Sequence, residues 1–506
     1  MTSTRTKNTF KNVIVIFVMQ VLTFIYSLVA KNLFLSKFSL SVYGVVDLFS
    51  SFFNSLMLLE MGFGTILIYN LYKPVAENNN KEIRKQLSIF KTIYFYISVI
   101  ILGISIIVLP FLYDIFNISY QDKILVYEVY LSNIVHIIFK YHYLNKTSIL
   151  DASQYKYISY LISMVIDALV FALKVISIIV FNNLYLFIFA QLFLPSVSYF
   201  IMSCVIDKKY DVKNIKRASF KEVIESGALS QCKKYIYATI YSLVFSSMDN
   251  IIISMILSTD SIAYTSNYYS LILTCWSVVI TIMSSIRGII ADYINNVKKA
   301  YLKKEIFDLV SSFNFIITSL FIVGFFSLAD NFIALWIGSK FVIEKSLMLA
   351  LLLSRAIDCL FEPVNSIFII EGYIFKEKWP LIISALTNGI LTVVFLYKFG
   401  LIGAYLATIV ALIIKWIGKF YYLLTGVFKD FKFNVIERYL IFILAIGFEI
   451  VFVNNISSLL VPNVNSLILF IIKFLIVIFI VCLINGILII FNKNTRSYIK
   501  HTILKK

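Results

Sequence analysis

The sequence is short of charge. Only 14% of its 506 residues are Asp, Glu, Lys or Arg, against about 25% in soluble globular domains. Together with 60% hydrophobic residues and a mean hydropathy of +0.90, that shortage excludes an ordinary soluble chain. Histidine is scarcer still. His136, His142 and His501 are all there are, and all three fall at or near one side of the expected membrane, which argues against a histidine-centred external active site. The five cysteines (Cys204, Cys232, Cys275, Cys359 and Cys482) stand apart, mostly inside apolar runs. Their spacing makes neither a metal site nor a disulfide framework. No nucleophile–base pair, phosphate-binding glycine loop, metal-ligand cluster or dinucleotide fingerprint occurs. An enzyme is therefore not expected, nor a cofactor or resident metal.

What the chain has instead is long apolar runs. They stay apolar for about 20 residues rather than alternating, so the spans are helices and not barrel strands. Fourteen are expected, over 12–31, 42–64, 89–112, 124–145, 157–180, 184–206, 235–257, 264–289, 307–328, 346–370, 380–397, 401–423, 438–459 and 465–491. The first follows Lys7 and Lys11 without a small-residue cleavage site, so it reads as a span and not a removed signal. With the N-terminus inside, about 35 of the 45 basic residues fall in cytoplasmic segments and about 6 in external ones. The inside set includes "NNNKEIRKQ" (78–86), "DKKYDVKNIKR" (207–217) and the tail 492–506. Both termini are thus expected in the cytoplasm. The +18 net charge describes a basic inner face turned to anionic lipid, not a nucleic-acid site.

Two short self-similarities share one spacing. "KEIRKQLSIF" (81–90) matches "KEIFDLVSSF" (304–313), and "LSKFSLSVYG" (35–44) matches "LSTDSIAYT" (257–265), at offsets near 222. That offset superposes span 1 on span 7 and span 6 on span 12, a parallel repeat about an axis along the membrane normal. The expected organisation is an N-terminal lobe over 1–206, an amphipathic cytoplasmic linker over 207–233 and a C-terminal lobe over 234–427. Two extra helices over 428–491 and a basic tail over 492–506 follow.

Several stretches then carry a resemblance. "GFGTILIYNLYKPVAENN" (62–79), "MDNIIIS" (248–254), "YTSNYYSLI" (264–272), "NFIALWIG" (331–338) and 371–410 resemble bacterial Wzx-type flippases of lipid-linked polysaccharide repeat units. These belong to the multidrug/oligosaccharidyl-lipid/polysaccharide (MOP) superfamily. The resemblance runs the length of the chain. It implies two six-helix lobes around a central cavity that opens alternately to either side. The implied substrate is an oligosaccharide on undecaprenyl diphosphate, moved to the outer leaflet of the bacterial cytoplasmic membrane for capsule or O-antigen synthesis. Implied partners are membrane lipids and a polymerase and glycosyltransferases of the same pathway. Lipid II flippases carry arginines in spans 1 and 8. Here Arg287 stands in span 8, but span 1 has no basic residue between Lys11 and Lys31, which argues against lipid II as substrate.

Flipping breaks no bond, so the residues to look for are ionisable groups at membrane depth. Arg287, Arg355, Lys174, Tyr264 and Tyr268 are expected on the substrate cavity, with Arg287 placed to grip a phosphate or else to snorkel. Asp249, Asp358, Glu362, Asp47 and Glu60 are the candidates for H+ or Na+ coupling. Asp249 reads equally as a polar group satisfied by neighbouring helices, and Asp47 as solvated near the external end. Asp167 and Lys174, seven apart, read as a structural pair or cavity wall. In "LLLSRAIDCLFEP" (351–363) one helical face carries Arg355, Asp358 and Glu362, either as an Arg355–Asp358 ion pair or as a coupling site. Pro363 has no N–H, which frees the Cys359 carbonyl. The repeat sets these three opposite Asn133, His136 and Lys140. The membrane potential assists outward movement of an anion by about 2.3 kcal/mol per charge per 100 mV, so ion coupling is allowed without being required. A drug/cation antiporter of the same superfamily is the alternative. A membrane-bound polysaccharide polymerase is the more distant one.

Overall fold

The computed structural model describes residues 2–491 apart from 59, 78, 119–120, 154, 211, 234–240, 242–243, 297–299 and 374–375. The basic tail and the first part of span 7 lie outside the described residues. Among those described, every regular element is a helix, as an apolar solvent demands when each backbone N–H and C=O must be satisfied within its own segment. The chain is a multi-pass membrane protein. It divides into two compact units, Met1–Ala263 and Tyr264–Lys506.

The first unit contains α1 (Thr2–Lys37), α2 (Leu40–Leu58), α3 (Met61–Ala76), α4 (Asn80–Val108), α5 (Leu112–Phe116), α6 (Lys123–Ala152), α7 (Lys156–Ile179), α8 (Leu184–Leu192), α9 (Pro195–Tyr210), α10 (Phe220–Glu225), α11 (Ala228–Lys233) and α12 (Asp249–Ile256). Local sequence sets their ends. Asn79, Asp122 and Asn183 cap α4, α6 and α8 by accepting the backbone N–H three residues on. Asn117 and Asn182 take positive φ after α5 and α7, a conformation asparagine tolerates better than most residues. The centre is aromatic. Phe49, Phe52 and Phe53 of α2 pack with Phe116 and Tyr130, and the Tyr130 hydroxyl donates to the Ser105 carbonyl at 2.9 Å.

The second unit contains most of α13 (Thr259–Asn296), followed by α14 (Ala300–Trp336), α15 (Lys345–Leu360), α16 (Glu362–Ile370), α17 (Lys378–Phe399), α18 (Leu401–Thr425), α19 (Lys432–Leu460) and α20 (Leu467–Phe491). The tight α17–α18 hairpin turns on Gly400, at φ +64°. Gly403 lies so close to the Phe395 carbonyl that a Cβ could not be accommodated. The last two helices pack on α14 through Val323, Leu328, Val453, Val477 and Val481. Polar bonds add to this apolar seam. Arg438 of α19 forms an ion pair with Asp308 at 2.8 Å, Ser319 bonds Glu449, and Lys473 donates to Asn331 at 3.0 Å.

Among the described residues, eleven helical stretches are long and apolar enough to cross a membrane. The three other expected spans are interrupted, as is span 6 between α8 and α9. Span 2 divides into α2 and α3 around Glu60. The described part of span 7 enters α12 through a π-helical turn at Val244–Met248. Span 10 breaks at Phe361. The reason is plainest in span 10. Pro363 occupies the first turn of α16, where its missing N–H costs nothing, and a continuous helix would have lost that bond.

Candidate functional site

Broken helices at membrane depth free backbone groups and ask for polar company. In the second unit that company is a chain of charged side chains. Arg287 on α13 bonds Glu362 through its guanidinium, and its Nε donates to the Ser366 hydroxyl at 3.2 Å. Glu362, the first residue of α16 and buried, also accepts from Asn365 at 3.1 Å. The Asn365 side-chain oxygen in turn accepts from Lys419 of α18 at 2.9 Å, and Lys419 pairs with Glu377 at 2.7 Å. One connected path thus runs Arg287–Glu362–Asn365–Lys419–Glu377 and ties α13, α16, α18 and the residue before α17 together.

A second cluster lies one turn away. Asp358 of α15 accepts from Lys415 at 2.5 Å and from the Trp416 indole at 3.0 Å. Arg355 donates to the Tyr269 hydroxyl of α13 at 2.5 Å. The pairing expected within α15, Arg355 with Asp358, is therefore made between helices. The neighbouring α18 supplies a lysine that competes at shorter reach than a residue three positions along the same helix. The carbonyl that Pro363 frees is also taken, because Asn314 of α14 donates to Cys359 O at 2.9 Å and to Leu360 O at 3.1 Å. Four cations (Arg287, Arg355, Lys415 and Lys419) meet three carboxylates (Asp358, Glu362 and Glu377) in these two clusters. One formal positive charge is left over.

Beside the clusters runs an apolar groove of about 890 Å³, lined by α15, α18 and α19. Leu353, Ile413, Ile417, Leu440, Ile443 and Gly447 are representative of its walls, and Trp416, Phe361 and Tyr439 border both groove and charges. Trp416 turns its ring to the groove wall and its N–H to Asp358. A wide apolar slot therefore abuts a buried, net-positive polar cluster.

The first unit holds a simpler version. Lys140 of α6 pairs with Glu60, between α2 and α3, at 3.5 Å. His136 Nδ1 lies 2.9 Å from the Ser196 hydroxyl. Lys31, buried, sits 4.1 Å over the Tyr43 ring and within electrostatic reach of Asp47. Asp167 and Lys174 on α7 turn to different neighbours: Asp167 accepts from Thr23 at 3.4 Å, and Lys174 lies 5.2 Å from the Phe187 ring. Asp249 opens α12 directly after the π-helical turn, and Asn250 beside it donates to Ser51 at 2.8 Å. Turns of this kind recur at functional sites.

Of the residues expected on the cavity, Arg287 and Arg355 join the charged clusters with Asp358 and Glu362. Tyr268 is fully buried and donates to Asp330 at 2.7 Å, whereas Tyr264 is exposed. Lys415, Lys419, Glu377 and Lys31 had not been singled out. The first two carried a readable signal, two lysines four apart in the middle of an apolar span. Glu377 sits just outside a span and showed none.

Neither a family model nor a curated protein sequence matches the chain. Solved structures do match its fold. The lipid II flippase MurJ, in an inward closed conformation, aligns with a TM-score of 0.69 at 18% identity, over 94% of this chain and 98% of that one. An inward-facing multidrug resistance MATE family transporter of the MOP superfamily aligns with a TM-score of 0.63 at 14% identity, over 82% and 99%. The fold is that of these two solved structures.

Proposed function

We propose that the chain flips an undecaprenyl-diphosphate-linked oligosaccharide from the inner to the outer leaflet of the bacterial cytoplasmic membrane, in the synthesis of capsule or O-antigen. The observation that carries this reading is the junction of the apolar groove with the Asp358–Lys415–Trp416 and Arg287–Glu362 clusters. A polyprenyl diphosphate is half oil and half anion, and the second unit offers one surface for each within a few side chains. A volume near 890 Å³ lies at the upper end of the roughly 300–1,000 Å³ typical of small-ligand sites. That suits a long isoprenoid segment better than a compact drug.

The mechanism follows from exchange of partners. An arriving diphosphate competes for Arg287 and Lys415, which now hold Glu362 and Asp358. Loosening those pairs unties α13, α16 and α18 from one another. Sugars would travel in the cavity that the fold family implies, with the polyprenyl tail held in lipid and groove, by alternating access with both termini cytoplasmic. The carboxylates released in this step are also where a proton or sodium ion would compensate charge.

The similarity to a multidrug transporter keeps drug/cation antiport as the second reading. Gly447 on α19 separates the two, because nothing lies within 4 Å of the position its Cβ would occupy. Gly447→Phe should fill the groove without disturbing the helix. In proteoliposomes, the variant is expected to lose flipping of a polyprenyl-diphosphate oligosaccharide by tenfold or more while retaining its melting temperature. Wild-type export of a cationic dye, with no flipping of the lipid-linked sugar, would sink the proposal.

A further inference from the structure

The linker that follows α9 is strapped along α4 by side chains on one stripe of that helix. Arg84 donates to the Lys213 carbonyl at 2.9 Å, Ser88 to Lys216 at 2.7 Å, Lys91 to Ile215 at 2.8 Å and Thr92 to Ala218 at 2.9 Å. The Arg217 guanidinium lies 3.5 Å over the Phe95 ring, and Phe220 meets Tyr96 edge-on. Strap, α4 and α6 together enclose a pocket of about 200 Å³ whose polar lining is Lys91, Ser98, Tyr141, His142 and Arg217. Phe95, Val99, Leu102 and Ile138 supply its apolar lining.

Among the described residues no carboxylate lines this pocket. Asp207, an acid within electrostatic reach of Lys91, is held by Lys146 through both its oxygens at 2.6 and 2.7 Å. Two cations, Lys91 and Arg217, therefore meet beside the His142 ring with no described carboxylate in the lining, an arrangement whose Coulomb cost an anion would relieve. Phe95 and Val99 are exposed apolar residues on the outer face of α4, so the apolar lining opens where acyl chains lie.

We propose that this pocket binds the phosphate of an anionic phospholipid from the leaflet on the linker side, with Lys91, His142 and Arg217 on the phosphate and the Phe95–Val99–Leu102 edge against an acyl chain. Because Arg217 belongs to the strap and Lys91 also holds it, an occupied pocket fastens the linker to the α4–α6 pair. The site is separate from the groove and charged clusters of the second unit and does not depend on the substrate assigned to them.

The test is native mass spectrometry of the full chain released from detergent, with phosphatidylglycerol, phosphatidylcholine, inorganic phosphate and a polyprenyl phosphate offered separately. Wild type is expected to retain phosphatidylglycerol selectively. Arg217→Gln and His142→Gln should each lower retention about fivefold, the equivalent of about 1 kcal/mol for one basic residue at an anionic surface. Ser98→Glu, which places an acid in the pocket without touching the strap's bonds, should abolish it, and Ser98→Ala should not change it. Lys85→Gln removes a charge from the same helix outside the pocket and serves as the control for general surface attraction. Equal retention of phosphatidylcholine, equal loss in Lys85→Gln, preference for the polyprenyl phosphate, or retention of inorganic phosphate as strong as that of the lipid would each overturn the assignment.

Discussion

The two units each place an acid at the break of a divided span and a base on a continuous helix, but not at matching positions of the repeat. In the first, the acid Glu60 stands at the α2–α3 break and the base Lys140 on a continuous helix. In the second, the acid Glu362 opens α16 and the base Arg287 lies on continuous α13. The offset of 222 sets Lys140 opposite Glu362, so matching positions carry opposite charges. The surroundings differ as well. Glu60–Lys140 is a monodentate contact at 3.5 Å, while Glu362 is bonded by Arg287, Asn365 and Ser366 and connected onward to Lys419 and Glu377. A lysine pair at that length can part and reform at small cost. A guanidinium in a network cannot, since opening it strands a buried carboxylate.

This contrast can be broken at its stronger end first. Arg287→Ala leaves Glu362 buried without its guanidinium, a loss of about 3–5 kcal/mol on the scale of disrupted buried pairs. It should abolish complementation of a flippase-null strain and lower the melting temperature. Arg287→Met with Glu362→Gln should recover the stability but not the transport. If the double variant also transports normally, the charges are packing devices alone.

A smaller effect is expected in the first unit. Lys140→Met should cost about 1 kcal/mol and reduce transport only a few-fold, because both groups keep some exposure and the contact is long. A loss as large as that of Arg287→Ala would show the two pairs to be equivalent after all.

The smallest expected effect concerns the linker, where Ser219 and Glu222 form a reciprocal cap on α10. The Ser219 N–H and hydroxyl both donate to the Glu222 carboxylate, which they hold below its usual range. A depressed carboxylate contributes its stabilisation above its ordinary value and loses it as pH falls through the lowered one. Amide exchange over 220–225 should therefore quicken on acidification. Ser219→Ala should quicken it at neutral pH and flatten that dependence, with transport unchanged.

Much of the architecture could be read directly. Hydropathy over some 20 residues is a local property, and the eleven long apolar spans among the described residues coincide with eleven of the fourteen expected ones. The three exceptions are where local and tertiary demands diverge. Pro363 announced a break in span 10, although a single helix over 346–370 was expected. The breaks at Glu60 and before Asp249 carried no such marker. Partners were harder still. Asp358 lies three residues from Arg355 yet bonds Lys415, 57 positions away. The carbonyl that Pro363 frees is claimed by Asn314, 45 positions away.

The sequence by itself determined that this chain is a multi-pass bundle of helices and roughly where each helix runs. Transfer from water to lipid is scored residue by residue, so composition along the chain is enough for that. Only the tertiary structure decided which charges meet, that Trp416 joins a polar cluster to an apolar groove, and that Arg217 closes a basic pocket over α4. Those outcomes depend on distances of a few ångströms between helices far apart in the chain, where a shift of one turn changes every partner.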